Sequence, residues 1–208
     1  MTSSIERVKI ILKVLKGLFP NAGIILNYGN PWELLVAVIL SAQCTDRMVN
    51  KVTSNLFAKY KSLDDYVQAT REEFEKDIHS TGFFRSKAKH ILETAKLVKY
   101  RHKGNVPREM NELLTLPGVA RKTANVVMGN AWGKVEGIAV DTHVKRLSRV
   151  WGLTRENDPV KIERDLMRLI PRDEWFRFTY RTIEYGRAYC TARKHNHVKC
   201  PLTKYLSG

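Results

Sequence analysis

Leu116-Pro117-Gly118-Val119-Ala120-Arg121-Lys122-Thr123-Ala124-Asn125-Val126-Val127 reads as a tight corner between two helices. The spacing predicts a helix ending near Leu114, a turn at Pro117-Gly118 and a new helix starting around Arg121. Such a hairpin points backbone N–H groups outward from the turn and from the start of the second helix. That arrangement holds a phosphate oxygen without side-chain charge. An ordinary helix–turn–helix corner has the same local pattern. Lys122 falls in the first turn of the second helix, where the helix dipole disfavours a cation. Arg121 beside it in sequence, together with partial burial, would lower the amine's pKa and raise its nucleophilic fraction. The plain alternative is a solvated lysine.

Downstream, Ile138-Ala139-Val140-Asp141-Thr142-His143 precedes Val144, Leu147, Val150 and Trp151 at helical spacing. Asp141 is placed to cap that helix, and a capping carboxylate can still face a ligand. His143 is read as a polar residue of the helix start or as a DNA contact. Most of the remaining chain also has helical periodicity, with no convincing period-two run, so the expected fold class is all-α. Ser3 with Glu6 and Thr70 with Glu73 are candidate capping boxes. Asp46 is a candidate cap for a helix carrying Val49, Val52, Leu56 and Tyr60, and Ser86 precedes one carrying Ala88, Ile91, Leu92 and Ala95. Residues 32–42 are apolar all round, as in a helix buried within a bundle. Asp158-Pro159 marks another helix start, and a last helix is expected over 173–187.

The 36 Lys and Arg residues against 21 Asp and Glu give a net charge of +15. That excess points to a polyanionic partner, nucleic acid above all. At 43% hydrophobic residues the chain is too apolar for a disordered one. The run Leu34–Leu40 is too short to span a membrane. A basic amphipathic N-terminus without an apolar signal core leads to an expectation of no secretion and a cytoplasmic protein, nucleoid-associated in a prokaryote. Cys44, Cys190 and Cys200 are an odd and sparse set, which argues for a reducing compartment rather than a disulfide framework.

The hairpin and the aspartate that follows it resemble those of the endonuclease III family of DNA glycosylase/AP lyases. The likeness runs through most of the chain. Pro31 to Asp46, ending Leu40-Ser41-Ala42-Gln43-Cys44-Thr45-Asp46, resembles the helix and loop that deliver a glutamine into DNA. Thr81-Gly82-Phe83-Phe84-Arg85-Ser86-Lys87-Ala88 resembles the family's wedge loop, and Tyr185-Gly186-Arg187-Ala188-Tyr189-Cys190 the approach to its iron–sulfur cluster. The resemblance implies a two-lobed α fold with a DNA-binding cleft between the lobes. One lobe is a helical barrel over 22–135 that contains the hairpin motif at about 108–131; the other joins 1–21 to 136–208. It implies that Lys122 forms the Schiff base and that Asp141 is the catalytic aspartate. Gln43 fills the space left by a flipped nucleotide, with Phe83 or Phe84 as a wedge. DNA contacts are implied for Leu116, Gly118, Val119, Ala120, Arg121 and Thr123 of the hairpin. The expected partner is damaged double-stranded DNA bound by a monomer, with oxidised pyrimidines as substrates. Oxidised purines, mismatched bases and a non-catalytic DNA-binding module are the alternatives.

The C-terminal region departs from the family. Its four cluster cysteines are separated by six, two and five residues; here Cys190 and Cys200 hold the first and third places, while His197 and Leu206 stand at the second and fourth. Leucine has no ligand atom, so no 4Fe–4S cluster and no other cofactor is expected. Cys190, His195, His197 and Cys200 still offer zinc donors, although their spacing matches no common finger pattern. Without metal, the segment would need packing of Val198, Leu202, Tyr205 and Leu206. Arg193, Lys194 and Lys199 keep a phosphate-binding role open there. Ala120 stands where the hairpin motif more often has glycine, which requires negative φ at that position.

Overall fold

The computed structural model describes residues 4–206 and contains helices but no strand among them. In chain order the helices are α1 Ser4–Leu18, α2 Pro31–Leu40, α3 Asp46–Lys59, α4 Leu63–Gln68, α5 Arg71–Asp77, α6 Phe84–Tyr100, α7 Met110–Leu113, α8 Arg121–Trp132, α9 Thr142–Val150, α10 Pro159–Leu169, α11 Trp175–Ala188 and α12 Thr203–Leu206. Three short 3₁₀ turns lie at His79–Thr81, Arg172–Glu174 and His197–Lys199. Ser3, the expected partner of Glu6 in a capping box, lies outside the described residues. The chain divides into two compact units, one running from Ile25 to Lys134 and the other formed by the segment ending at Ile24 and the segment starting at Val135.

The central unit is built around α2. Every residue from Leu34 to Leu40 is buried, and the helix packs against α3, α6 and α8. Asn30 caps α2 by accepting the Glu33 amide at 3.0 Å, and Pro31 takes the first helical position, where its missing N–H costs nothing. An aromatic group of Trp32, Tyr60, Tyr66 and Phe74 fills the space around α4 and α5, with the Trp32 and Tyr66 rings edge to face at 5.1 Å. Two expected helix starts move. Thr45, not Asp46, caps α3 through the Met48 amide, because Thr45 has the extended backbone a cap needs. α6 begins at Phe84, ahead of Ser86. Thr70 does cap α5, accepting the Glu73 amide.

The terminal unit has a core of its own, in which Ile11, Leu15, Val144, Leu147, Trp151, Ile162, Leu166, Phe178 and Tyr185 are buried together with Cys190, Cys200 and Leu202. Glu174, itself buried, accepts from Arg181 of α11 at 2.6 Å and pairs with Lys16 of α1, tying the two distant stretches of chain together. α11 starts at Trp175 rather than 173 because a 3₁₀ turn occupies 172–174. In the C-terminal segment the expected apolar packing is half right. Leu202 is fully buried and Leu206 packs on the core. Val198 and Tyr205 stay exposed, at 85% and 53%, because both lie on the outer side of the segment.

Candidate active site

In the central unit the hairpin is set by its backbone. Gly118 has φ +77, a region that residues with a Cβ avoid, and an added Cβ would lie 3.0 Å from two atoms of His90. The hydroxyl of Thr94 donates to the Pro117 carbonyl at 3.0 Å, which seats the turn on α6. Leu116, Val119 and Thr123 are buried, so their side chains anchor the hairpin, and the Leu116 and Val119 amides are used within it, donating to the Leu113 and Leu116 carbonyls, each at 3.1 Å. Ala120 holds φ −89, the negative value its methyl group requires. It caps α8 without a side-chain acceptor. Lys122 is half-buried in the first turn of α8. The expected helix start at Arg121 is where the structure has it.

Two strained residues lie in the same unit. Gln43 has φ +52 and Phe83 φ +48, both unusual for side chains larger than glycine. Both are exposed, Phe83 by 66%. Gln43 lies inside a turn closed by the Cys44 amide donating to the Ser41 carbonyl at 3.1 Å, whereas Phe83 is the N-cap of α6, its carbonyl accepting the Ser86 and Lys87 amides, each at 3.1 Å. Strained, exposed residues of this kind concentrate where side chains are presented to a ligand. Phe84, by contrast, is half-buried and its ring lies 4.5 Å from that of His79. Of the two aromatic candidates, Phe83 is therefore the one offered to solvent.

A residue not singled out from the sequence links the two loops. Lys87 is 4% exposed, and its ammonium donates to the Leu40 and Thr81 carbonyls, each at 2.8 Å. It thus ties the end of α2, just before Gln43, to the turn carrying Phe83. Burial lowers its pKa. A signal existed: Lys87 lies four residues before Ile91, on the apolar stripe of α6 that continues to Val98.

In the terminal unit Asp141 caps α9 as expected. Its Oδ1 accepts the Val144 amide at 2.8 Å, and its Oδ2 lies 3.0 Å from Nδ1 of His143. Gly186 of α11 makes room for this arrangement, since a Cβ there would come within 2.7 Å of the His143 ring and 3.3 Å of Leu147. An open groove of about 660 Å³ along α9 is lined by Thr142, Lys145, Arg146, Arg149 and Val150. These basic residues, next to Asp141 in sequence, were not picked out, because a charge-rich helix face usually marks only solvent. Arg193, Lys194 and Lys199 are exposed on the C-terminal segment.

Comparison with known proteins agrees with this architecture. Residues 36–172 match the family described as HhH-GPD superfamily base excision DNA repair protein. The chain is 52% identical over 202 residues to an endonuclease III of Synechocystis, covering 97% of this chain and 92% of that one. Two solved structures, one of a non-covalent endonuclease III–DNA complex and one of a trapped endonuclease III–DNA covalent intermediate, superpose with a TM-score of 0.93 at 43% identity, covering 99% of this chain and 95% and 96% of theirs. A thermostable thymine-DNA glycosylase at 24% identity and a TM-score of 0.82 shares the fold. Hairpin, capping aspartate and likeness along nearly the whole chain place the protein in the endonuclease III family of helix-hairpin-helix base excision DNA repair enzymes.

Proposed function

We infer that Lys122 and Asp141 carry the chemistry of this base excision DNA glycosylase/AP lyase, and that its substrates are oxidised pyrimidines in duplex DNA. The observation that supports this most is the half-buried lysine in the first turn of α8, directly after the tight Pro117-Gly118 turn. A cation is disfavoured at the positive end of a helix dipole, and the neutral amine is the form that acts as a nucleophile. A relative at 43% identity has been trapped as a covalent intermediate with DNA, as an amine nucleophile requires.

The damaged nucleotide leaves the stack, Gln43 fills the space it vacates and Phe83 wedges the opposite side. The Lys122 Nζ lone pair attacks C1′, and the base departs with the electron pair of the glycosidic bond and takes up a proton. Asp141 offsets the positive charge that develops on the sugar and helps move the amine proton. Ring opening gives an imine at C1′. The imine acidifies the C2′ hydrogen, so its removal expels the 3′ phosphate by β-elimination and cuts the strand. Water then returns the amine to Lys122.

The basic groove along α9 and the exposed Arg193, Lys194 and Lys199 would neutralise backbone phosphates, making affinity strongly salt-dependent. The lesion class is tested by comparing excision rates on duplexes carrying thymine glycol, 8-oxoguanine, a T·G mismatch or no lesion. Thymine glycol should be removed at least about tenfold faster than the others, a barrier difference of about 1.4 kcal/mol. Faster release of 8-oxoguanine or mismatched thymine would overturn the pyrimidine-damage reading while leaving the lysine mechanism standing.

A further inference from the structure

The segment between α11 and α12 brings Cys190, His195, His197 and Cys200 together, with one ligand atom from each residue and all four within 4.8 Å of one another. His195 Nε2 lies 3.3 Å from Cys200 Sγ, and Cys190 Sγ lies 3.8 Å from His197 Nδ1. Around one tetrahedral zinc ion, with bonds of about 2.3 Å to sulfur and about 2.0 Å to nitrogen, ligand atoms stand about 3.3 to 3.8 Å apart. The four side chains are thus already gathered at close to single-ion spacing.

The same residues do not fit a 4Fe–4S cluster. A cubane separates its ligands by its own iron and sulfide atoms, so they must stand further apart than ligands of a single ion. The fourth cysteine place holds Leu206, which packs on the apolar core.

Neighbouring groups orient the donors. His195 Nδ1 is 2.8 Å from the Arg193 carbonyl, an acceptor only, so Nδ1 carries the hydrogen and Nε2 presents its lone pair toward Cys200. Metal-binding histidines are commonly oriented in this way by their second nitrogen. Arg146 of α9 donates to the Cys190 carbonyl at 2.6 Å and to its sulfur at 3.6 Å, which fixes the position of that side chain. Cys190 and Cys200 are rooted in the core, whereas His195 is half-buried and His197 exposed, so one side of the group is open for an ion to enter. The segment has little apolar anchoring of its own between the two cysteines.

We propose that Cys190, His195, His197 and Cys200 bind one zinc ion in a tetrahedral Cys₂His₂ site, a mononuclear staple at the place where the family carries its cluster. This departs from the sequence expectation of no metal. The donor set of two soft thiolates and two imidazoles at tetrahedral spacing selects zinc over oxygen-seeking cations. The ion closes the Cys190–Cys200 loop and fixes the segment bearing Arg193, Lys194 and Lys199.

The test uses the full chain purified from cells grown with both iron and zinc. Metal content and acid-labile sulfide are measured, and the chelator-stripped protein is titrated with cobalt(II). The expected result is about one zinc per chain without labile sulfide, and a cobalt adduct showing thiolate charge-transfer and intense tetrahedral d–d bands. His195→Ala and His197→Ala, at half-buried and exposed positions, should each keep the helical circular dichroism and weaken zinc binding by tenfold or more. Iron with stoichiometric labile sulfide would overturn the proposal. So would a metal-free chain that gives no tetrahedral cobalt spectrum, or zinc affinity unchanged in both histidine variants.

Discussion

Asp141 and His143 form one unit: the histidine Nδ1 stands 3.0 Å from Asp141 Oδ2 while the other carboxylate oxygen accepts the Val144 amide at 2.8 Å. Both oxygens of the proposed catalytic carboxylate are therefore held by the first turn of its own helix. A carboxylate fixed in this way needs little rearrangement when positive charge develops near it. The helix cap and the proposed catalytic group are the same side chain.

Asp141→Asn separates those roles. Asparagine caps a helix about as well as aspartate, so the urea midpoint should move little, within about 0.5 kcal/mol of stability. Base excision should fall by about 100-fold or more, the usual size of a lost acid–base or charge-stabilising group. Normal excision by a stable Asp141→Asn protein would leave Asp141 as a cap alone.

Gly118→Ala probes the hairpin. The new methyl group must accept φ +77 and a 3.0 Å approach to His90, so the turn shifts. A stability loss of about 1–3 kcal/mol is expected. Duplex affinity measured by fluorescence anisotropy should drop for damaged and undamaged DNA alike, because phosphate contacts carry no sequence or lesion information. A drop confined to the damaged duplex would contradict the assigned role.

Lys87→Met removes the donor shared by the Leu40 and Thr81 carbonyls. Hydrogen exchange should accelerate at residues 41–45 and 81–84, with a stability loss of about 1–3 kcal/mol. The pH dependence follows from the lowered pKa of Lys87. Between that lowered value and the ordinary 10.5, the unfolded chain holds the proton more often than the folded one, so this group's contribution to stability rises with pH. Urea titrations across that window should show a shallower rise in the methionine variant than in the parent protein.

Much of this was readable from the chain. The all-helical class followed from periodicity, and the hairpin from Pro117-Gly118 between apolar runs. The capping role of Asp141 followed from its place before Val144 and Leu147. The rest depends on contacts distant in sequence. The apolar stripe of α6 puts Lys87 on the buried face, but only the fold brings it the carbonyl of Leu40, 47 positions earlier. Gly186 matters only because α11 lies against His143. The four proposed zinc donors follow no familiar spacing, and only the path of the loop brings His195 and His197 back to the two cysteines. Phe83 and Phe84 are adjacent and chemically equal in sequence; the left-handed backbone at Phe83 is what turns one outward and the other toward His79.

Glu174→Gln tests how the terminal unit is joined. Burial pushes the Glu174 pKa up, but hydrogen bonds from Lys16 and Arg181 outweigh it and hold the carboxyl below its ordinary 4.5. A group with a depressed folded pKa stabilises the fold above its unfolded pKa, and that contribution fades as pH falls through the folded value. The variant should lose about 2–4 kcal/mol at pH 7, since Arg181 is left buried beside a neutral partner. The gap should narrow below pH 4.5. An equal gap at pH 3 and pH 7 would mean that the ion pair is not its source.

The most direct measurement is borohydride trapping on a thymine glycol duplex, with Lys122→Gln alongside. Reduction of the imine should give a covalent protein–DNA adduct on a denaturing gel with the parent protein and none with the variant, whose DNA affinity should fall only by the loss of one charge. An adduct of equal yield from Lys122→Gln, or none from the parent protein on either thymine glycol or abasic DNA, would contradict the assignment of Lys122 as the nucleophile.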